Sequence, residues 1–123
     1  MAGSIFEKLG GESAVRTAVD IFYGKILTDE RVKHFFADVD MSQQKIHMER
    51  FMKYAFSGSP NYSGKGLRNT HKRLVEKMGL SDEHFDAVLE NLGTTLKDIG
   101  VDDALIAESA QVVESTRSDI LNK

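Results

Sequence analysis

Apolar residues recur every three or four positions along most of this chain, which is the period of an amphipathic helix. In the segment from Leu67 to Gly79, four of them fall on one helix face: Leu67, Leu74, Val75 and Met78. His71 lies on that same face, so its imidazole points toward the expected core. A buried imidazole nitrogen without a partner costs about 1–3 kcal/mol. His71 therefore requires a backbone carbonyl, a carboxylate or a metal as its partner.

The same period predicts six more helices around this one. They are expected near residues 4–9, 12–27, 29–36, 40–56, 81–99 and 102–120. Turn-forming residues fill the stretch 57–66 and predict a loop that leads into the His71 helix. Strand-like alternation is nearly absent, and Pro60 is the only proline. We therefore expect an all-helical fold and a single domain, residues 1–123.

Composition removes several classes of function. Of the 123 residues, 41% are hydrophobic and 28% are charged, and the net charge of −3 gives no reason to expect nucleic acid or an anionic membrane surface as a partner. The absence of cysteine excludes disulfides, thiolate chemistry and cysteine-ligated metal sites. No apolar run approaches the roughly 20 residues that span a bilayer. The first residues do not resemble a signal peptide, so a cytoplasmic location is expected.

Several polar side chains share the inward faces of predicted helices. Tyr23 lies in the apolar stripe of the second helix, where its hydroxyl either bonds a backbone group, the commoner case, or serves a ligand. The stripe of the fourth helix begins with Gln44 and His47 before it turns apolar. That polar start indicates either a solvated first turn or a site that needs a donor or a ligand. His34 and His84 are expected to be solvated.

His47 and His71 are thus predicted on the inward faces of two different helices. Their separation matches no local zinc motif, and no carboxylate shares either stripe, which disfavours a hydrolytic zinc site. Two apolar faces that present imidazoles suit a flat apolar cofactor with a central metal, and haem has this shape and ligation. Large adaptable side chains suited to a planar ring are plentiful: Phe36, Met48, Phe51, Met52, Phe56 and Phe85.

Eight segments, in this order, resemble the group I truncated haemoglobins, and among them the cyanobacterial-type members. The segments are FEKLGG at 6–11, FYGKIL at 22–27, FF at 35–36, VDMSQQKIH at 39–47, FMKYAFSG from 51, YSGKGL from 62, NTHKRL from 69 and HFDAVLENL from 84. Together they cover essentially the whole chain. The resemblance implies a truncated globin fold, which is a two-over-two helical sandwich around haem.

The resemblance also implies roles for matching positions. His71 matches the proximal histidine that binds the haem iron, and Phe36 matches the aromatic residue against the haem face. Tyr23 matches the distal tyrosine that donates to the bound gas, with Gln44 beside it. His47 matches a second ligating histidine, which implies a bis-histidyl haem until a gas displaces His47. The implied haem contacts are Phe36, Gln44, His47, Met48, Phe51, Met52, Leu67, Arg68, His71, Phe85 and Val88.

Two departures from the family pattern bear on the chemistry. Thr116 occupies the position of a histidine that bonds covalently to haem in some cyanobacterial members, so non-covalent haem b is expected. Met48 occupies a position that is often glutamine, which makes the distal side less polar. Stabilisation of oxygen would then rest more on Tyr23 and Gln44.

The resemblance implies a protein that reversibly binds oxygen, carbon monoxide and nitric oxide, and we expect it to be a monomer. It also implies oxidation of nitric oxide to nitrate, in which Tyr23 and Gln44 would be the catalytic residues and an unidentified reductase would recycle ferric iron. An electron-transfer haem protein is the alternative, because two histidine ligands in both oxidation states need little rearrangement. A cofactor-free helical interaction module is the third possibility.

Overall fold

The fold is described from a computed structural model for residues 4–57 and 64–123, without the side chains at 64–66 and 70. Within these ranges the chain forms α-helices and one 3₁₀ helix, and no strand. The helices are α1 Ile5–Leu9, α2 Gly11–Ile26, the 3₁₀ helix Lys33–Phe36, α3 Met41–Ser57, α4 Gly64–Met78, α5 Asp82–Asp98, α6 Asp103–Glu114 and α7 Arg117–Leu121. The predicted all-helical fold is confirmed. Most of the predicted loop at 57–66 lies outside the described residues.

Short polar side chains begin several of these helices. The Ser4 hydroxyl accepts a bond from the Glu7 amide at 3.2 Å before α1. Asp40 accepts one from the Ser42 amide at 3.0 Å before α3. Asp102 accepts one from the Leu105 amide at 2.8 Å before α6. Each bond satisfies an amide that has no partner within its own helix.

The prediction of a single last helix near 102–120 is wrong, because the chain forms two helices there, α6 and α7. The break falls where the Ser115 hydroxyl donates to the Val112 carbonyl at 2.5 Å and the Thr116 hydroxyl donates to the Val113 carbonyl at 2.6 Å. Hydroxyl side chains of this kind compete with the main chain for its hydrogen bonds. The apolar period alone did not reveal this competition.

The helices form the two-over-two sandwich. Helix α2 packs on α3 and on α5, α5 packs on α6, and α3 also contacts α6. Helix α1 packs across α2, α3 and α6, whereas α4 packs chiefly on α7. The largest fully buried side chains come from these layers: Ile26, Met52, Phe56, Leu92 and Leu96. No described helix has both the length and the apolar content that crossing a membrane requires.

Candidate haem-binding site

His71 is half-buried on α4, and its ring is fixed by its own helix. The Nδ1 atom lies 2.8 Å from the Leu67 carbonyl oxygen one turn earlier. Because a carbonyl only accepts, Nδ1 must carry the proton in this contact. Burial lowers the pKa of His71 from its ordinary value, although the bond to Leu67 acts in the opposite direction. The ring is therefore held neutral with the lone pair on Nε2, to which no described residue is bonded.

Tyr23 is almost fully buried on α2, with 2% of its surface exposed. The side-chain nitrogen of Gln44 on α3 donates to the Tyr23 hydroxyl oxygen at 3.0 Å. The Tyr23 ring packs edge-on against Phe36, with ring centroids 5.7 Å apart. Burial raises the pKa of Tyr23, while the bond from Gln44 acts to lower it. Tyr23 and Gln44, chosen from the sequence, are thus brought together, and the phenol proton remains available for another acceptor.

His47 differs from its prediction, because its side chain is exposed. Successive residues of a helix are about 100° apart, so His47 lies about 140° from Met52, whose side chain is buried at the centre of the inward face. The prediction extended the apolar stripe backwards to both His47 and Gln44, but in the structure only Gln44 is half-buried, and His47 is exposed. Its role as a second axial ligand stays a prediction.

The remaining predicted haem contacts divide by burial. Met52 and Phe85 belong to the closed core, with 1% and 4% of their surfaces exposed. The others are half-buried and keep accessible surface: Phe36, Gln44, Met48, Phe51, Leu67, Arg68 and Val88. Of these, Phe36, Met48, Phe51 and Val88 also pack against the core. A flat apolar ligand needs side chains of this kind around it.

These residues fit haem. A neutral, half-buried imidazole with a free Nε2 is the protein ligand that haem iron takes in globins, and the half-buried apolar side chains suit its ring. Among the described residues, no three histidine, cysteine or acidic side chains are grouped to hold a bare metal ion. His71 would hold the haem iron, and residues such as Phe36 and Val88 would contact the ring.

Arg68, an expected haem contact, is bonded to α7 in this structure. Its Nε atom lies 2.9 Å from a carboxylate oxygen of Asp119, and its Nη2 atom donates to the main-chain oxygen of Lys123 at 2.6 Å. Asn122 donates to the Arg68 carbonyl at 3.2 Å. The sequence analysis did not single out Asp119 or Asn122, because the helical period carries no signal for such distant contacts.

The structure also places His84 and Thr116, two other residues that the sequence analysis named. His84 was expected to be solvated, and this was wrong, since it is half-buried and its Nδ1 accepts a bond from the Ser81 amide at 3.0 Å. It completes a capping box at the start of α5. A polar residue three positions after Ser81 was the available signal. Thr116 is buried, with its hydroxyl bonded to Val113.

Comparison with known proteins agrees with this fold. The bacterial-like globin family matches residues 4–122. The group 1 truncated haemoglobin of Synechocystis is 52% identical over 98% of each chain, and that of Tetrahymena pyriformis is 48% identical over 98% of this chain and 96% of its own. The crystal structure of a 2/2 haemoglobin from Synechococcus, in the cyanomet state with covalently attached haem, has a TM-score of 0.92 and 48% identity. That match covers 98% of this chain and all of the other.

Fold and site together define a globin of the two-over-two class. The chain belongs to the bacterial-like globin family and, within it, to the group 1 truncated haemoglobins. Membership in this family supports haem binding and the binding of small gaseous ligands.

Proposed function

We propose that this protein binds haem b non-covalently through His71 and reversibly binds oxygen, carbon monoxide and nitric oxide on the opposite side. The bond between His71 Nδ1 and the Leu67 carbonyl, at 2.8 Å, carries the proposal. It selects the tautomer whose Nε2 lone pair is free, and it makes the imidazole a stronger electron donor. Bound haem would supply the iron to which a gas coordinates.

Tyr23 and Gln44 would act on the gas. Because Gln44 already donates to the Tyr23 oxygen, the phenol proton is left to donate to a ligand. Bound haem would give oxygen more negative charge than carbon monoxide, so the Tyr23 donor would stabilise oxygen more. The buried setting of Tyr23 strengthens the bond.

We further propose that His47 is the second axial ligand before a gas binds. Supporting this, the first turns of α3 have mostly exposed side chains, including Ser42, Gln43, Ile46 and His47 itself. Few buried contacts therefore oppose a shift of this end of α3 that would bring His47 inward or let it leave. A gas would then bind by displacing His47.

Oxidation of nitric oxide to nitrate is the proposed physiological reaction, with Tyr23 and Gln44 as the catalytic pair and a separate reductase to restore ferrous iron. The support is the Tyr23 donor itself. A tyrosine that slows the loss of oxygen would lengthen the time during which nitric oxide can react with that oxygen. The cytoplasmic location and the monomeric state stay predictions from the sequence.

Absorption spectra of the haem-reconstituted protein test the proposal. The parent should take up one haem and be low-spin in both oxidation states. His71→Gly should lose haem affinity and regain it with added imidazole, whereas the exposed His34→Ala should match the parent. His47→Ala should turn high-spin.

Three results would contradict parts of this proposal. A parent that takes up no haem removes the function altogether. A high-spin parent removes His47 as a ligand but leaves His71. Rapid electron self-exchange together with sluggish gas binding would favour the electron carrier instead.

A further inference from the structure

Four groups tie the beginning of α4 to α7, and we call this set the Arg68 clasp. It consists of Arg68, Asp119, Asn122 and the main-chain oxygen of Lys123. The Arg68 guanidinium donates to Asp119 at 2.9 Å and to Lys123 at 2.6 Å. The Asn122 side chain donates back to the Arg68 carbonyl at 3.2 Å. The clasp therefore holds both the side chain and the main chain of one α4 residue.

The clasp acts next to the group that orients His71. Arg68 directly follows Leu67, whose carbonyl accepts the bond from His71 Nδ1. The bond from Asn122 fixes the next carbonyl along the same helical turn. A displacement of this turn would move the acceptor of the His71 proton, because the two carbonyls belong to one rigid hydrogen-bonded unit.

Helix α7 is itself held to α5 and α6. Arg117 donates to Asp82 at 2.9 Å, to Asp86 at 2.5 Å and to Glu114 at 2.6 Å. The Arg117 guanidinium also lies 4.4 Å from the centre of the Phe85 ring. The clasp thus connects α4 to a support that is fixed to α5.

The backbone at the end of α7 directs Asn122 toward α4. Asn122 has a φ of 59°, in the left-handed region, and is the only described non-glycine residue with a positive φ. Asparagine tolerates this conformation better than most residues, and here its amide also serves as a donor. The preceding Leu121 is buried, with 2% of its surface exposed, so the turn is anchored.

We propose that Asp119 and Asn122 are positioning residues for the proximal histidine, which act through Arg68 on the Leu67 carbonyl and so on the tautomer and orientation of His71. The inference rests on the proposed function, since it concerns His71 as the haem ligand. It also makes contact with α7 the primary role of Arg68, ahead of the haem contact that the sequence analysis expected.

The test compares Asp119→Ala/Asn122→Gly with the parent and with Asp86→Ala. Glycine suits the positive φ at position 122. Asp86→Ala also removes a carboxylate partner of an α7 arginine, at 2.5 Å from Arg117, but does not touch α4. Two quantities are measured on the full-length, haem-loaded chain. One is water exchange of the His71 Nδ1 proton, by NMR of the carbon monoxide-saturated ferrous protein, and the other is haem loss to an acceptor apoprotein.

In the double variant, we expect both rates to rise by about tenfold, the lower end of the losses seen when outer-sphere partners of metal-binding histidines are removed. Asp86→Ala should leave both rates within about twofold of the parent values. Asp119→Glu keeps a carboxylate, so its rates should lie closer to the parent values than those of Asp119→Ala. Unchanged rates in the double variant would overturn the proposal. Equal rises in the double variant and Asp86→Ala would also overturn it, because they would indicate general loosening of α7.

Two further readouts keep the result interpretable. If the double variant loses helical content by circular dichroism, the single variants Asp119→Ala and Asn122→Gly are used for the same two rates. If the parent takes up no haem, the proposed function fails, and the clasp is then tested by the His71 tautomer in the haem-free chain, by ¹⁵N NMR. A higher Nε2-protonated fraction in the double variant supports the clasp, and an equal fraction removes it.

Discussion

The side-chain nitrogen of Gln44 donates a hydrogen bond to the hydroxyl oxygen of Tyr23 across 3.0 Å, and this bond joins α3 to α2. Its direction matters, because the Tyr23 oxygen accepts this bond, whereas the phenol proton has no acceptor in the described part of the chain. A buried hydroxyl proton without an acceptor costs about 1–3 kcal/mol. A polar ligand beside Tyr23 would recover that free energy.

Tyr23→Phe should therefore speed oxygen dissociation by about tenfold or more, the loss expected for a hydrogen bond to a ligand that carries charge. Carbon monoxide dissociation should change much less, because that ligand carries little charge. Rapid-mixing measurements of both rates check this. Tyr54→Phe is the matched control, since Tyr54 lies on α3 with 45% of its surface exposed. An unchanged oxygen rate in Tyr23→Phe would remove Tyr23 from the distal site.

Gln44 and Tyr23 should also behave as one unit. Gln44→Leu removes the donor that orients the phenol, so oxygen should leave faster in this variant too. In the double variant, the two effects should not add, with a coupling of about 1 kcal/mol from the shared bond. A double-mutant cycle on the oxygen dissociation rate measures the coupling. Strict additivity would mean that each residue acts on the ligand independently.

The buried phenol of Tyr23 should make the free energy of unfolding depend on pH in the alkaline range. Because burial raises the pKa of Tyr23, the folded state keeps a proton that the unfolded chain loses above about pH 10. The unfolded chain then binds fewer protons, so the free energy of unfolding should fall as the pH rises past 10. Urea unfolding between pH 9 and about 11 measures this slope. Tyr23→Phe should have the shallower slope, and equal slopes would contradict a buried, protonated phenol.

The helices were predictable because burial repeats locally. The stripes of α2 and α5 needed only a period of 3.6 residues, and the polar Tyr23 stood out within one of them. The Arg68 clasp was not predictable in this way, because Arg68 and Asp119 are 51 residues apart. Their pairing depends on how α4 docks on α7, which no local pattern encodes.

The errors have local physical causes. His47 lies about 140° from Met52 around α3, so it falls outside the inward face although it is only one residue from the half-buried Met48. The break between α6 and α7 depends on the hydroxyls of Ser115 and Thr116, which compete with the backbone only when their rotamers permit it. The spacing of apolar residues predicts neither the exposure of His47 nor the hydrogen bonds of these two hydroxyls.

Acid should destabilise the haem-free chain through His71. Burial lowers its pKa in the folded state, so the unfolded chain binds more protons below about pH 6.5. The free energy of unfolding should fall as the pH drops below that value, by at most about 1.4 kcal/mol per pH unit from this one group. His71→Leu should flatten that part of the profile. Identical profiles for parent and His71→Leu would show that His71 titrates alike in both states.

Haem should be fully extractable from this protein. The side chain at position 116 is a buried threonine whose hydroxyl donates to the Val113 carbonyl at 2.6 Å, so it offers no imidazole for attachment to a haem vinyl group. After reduction of the haem-loaded protein and denaturation in acidic organic solvent, the protein mass should remain that of the 13.7 kDa chain. The Synechococcus haemoglobin, which is described with covalently attached haem, is the positive control. A mass increase equal to one haem would contradict non-covalent binding and would place the attachment at a residue other than Thr116.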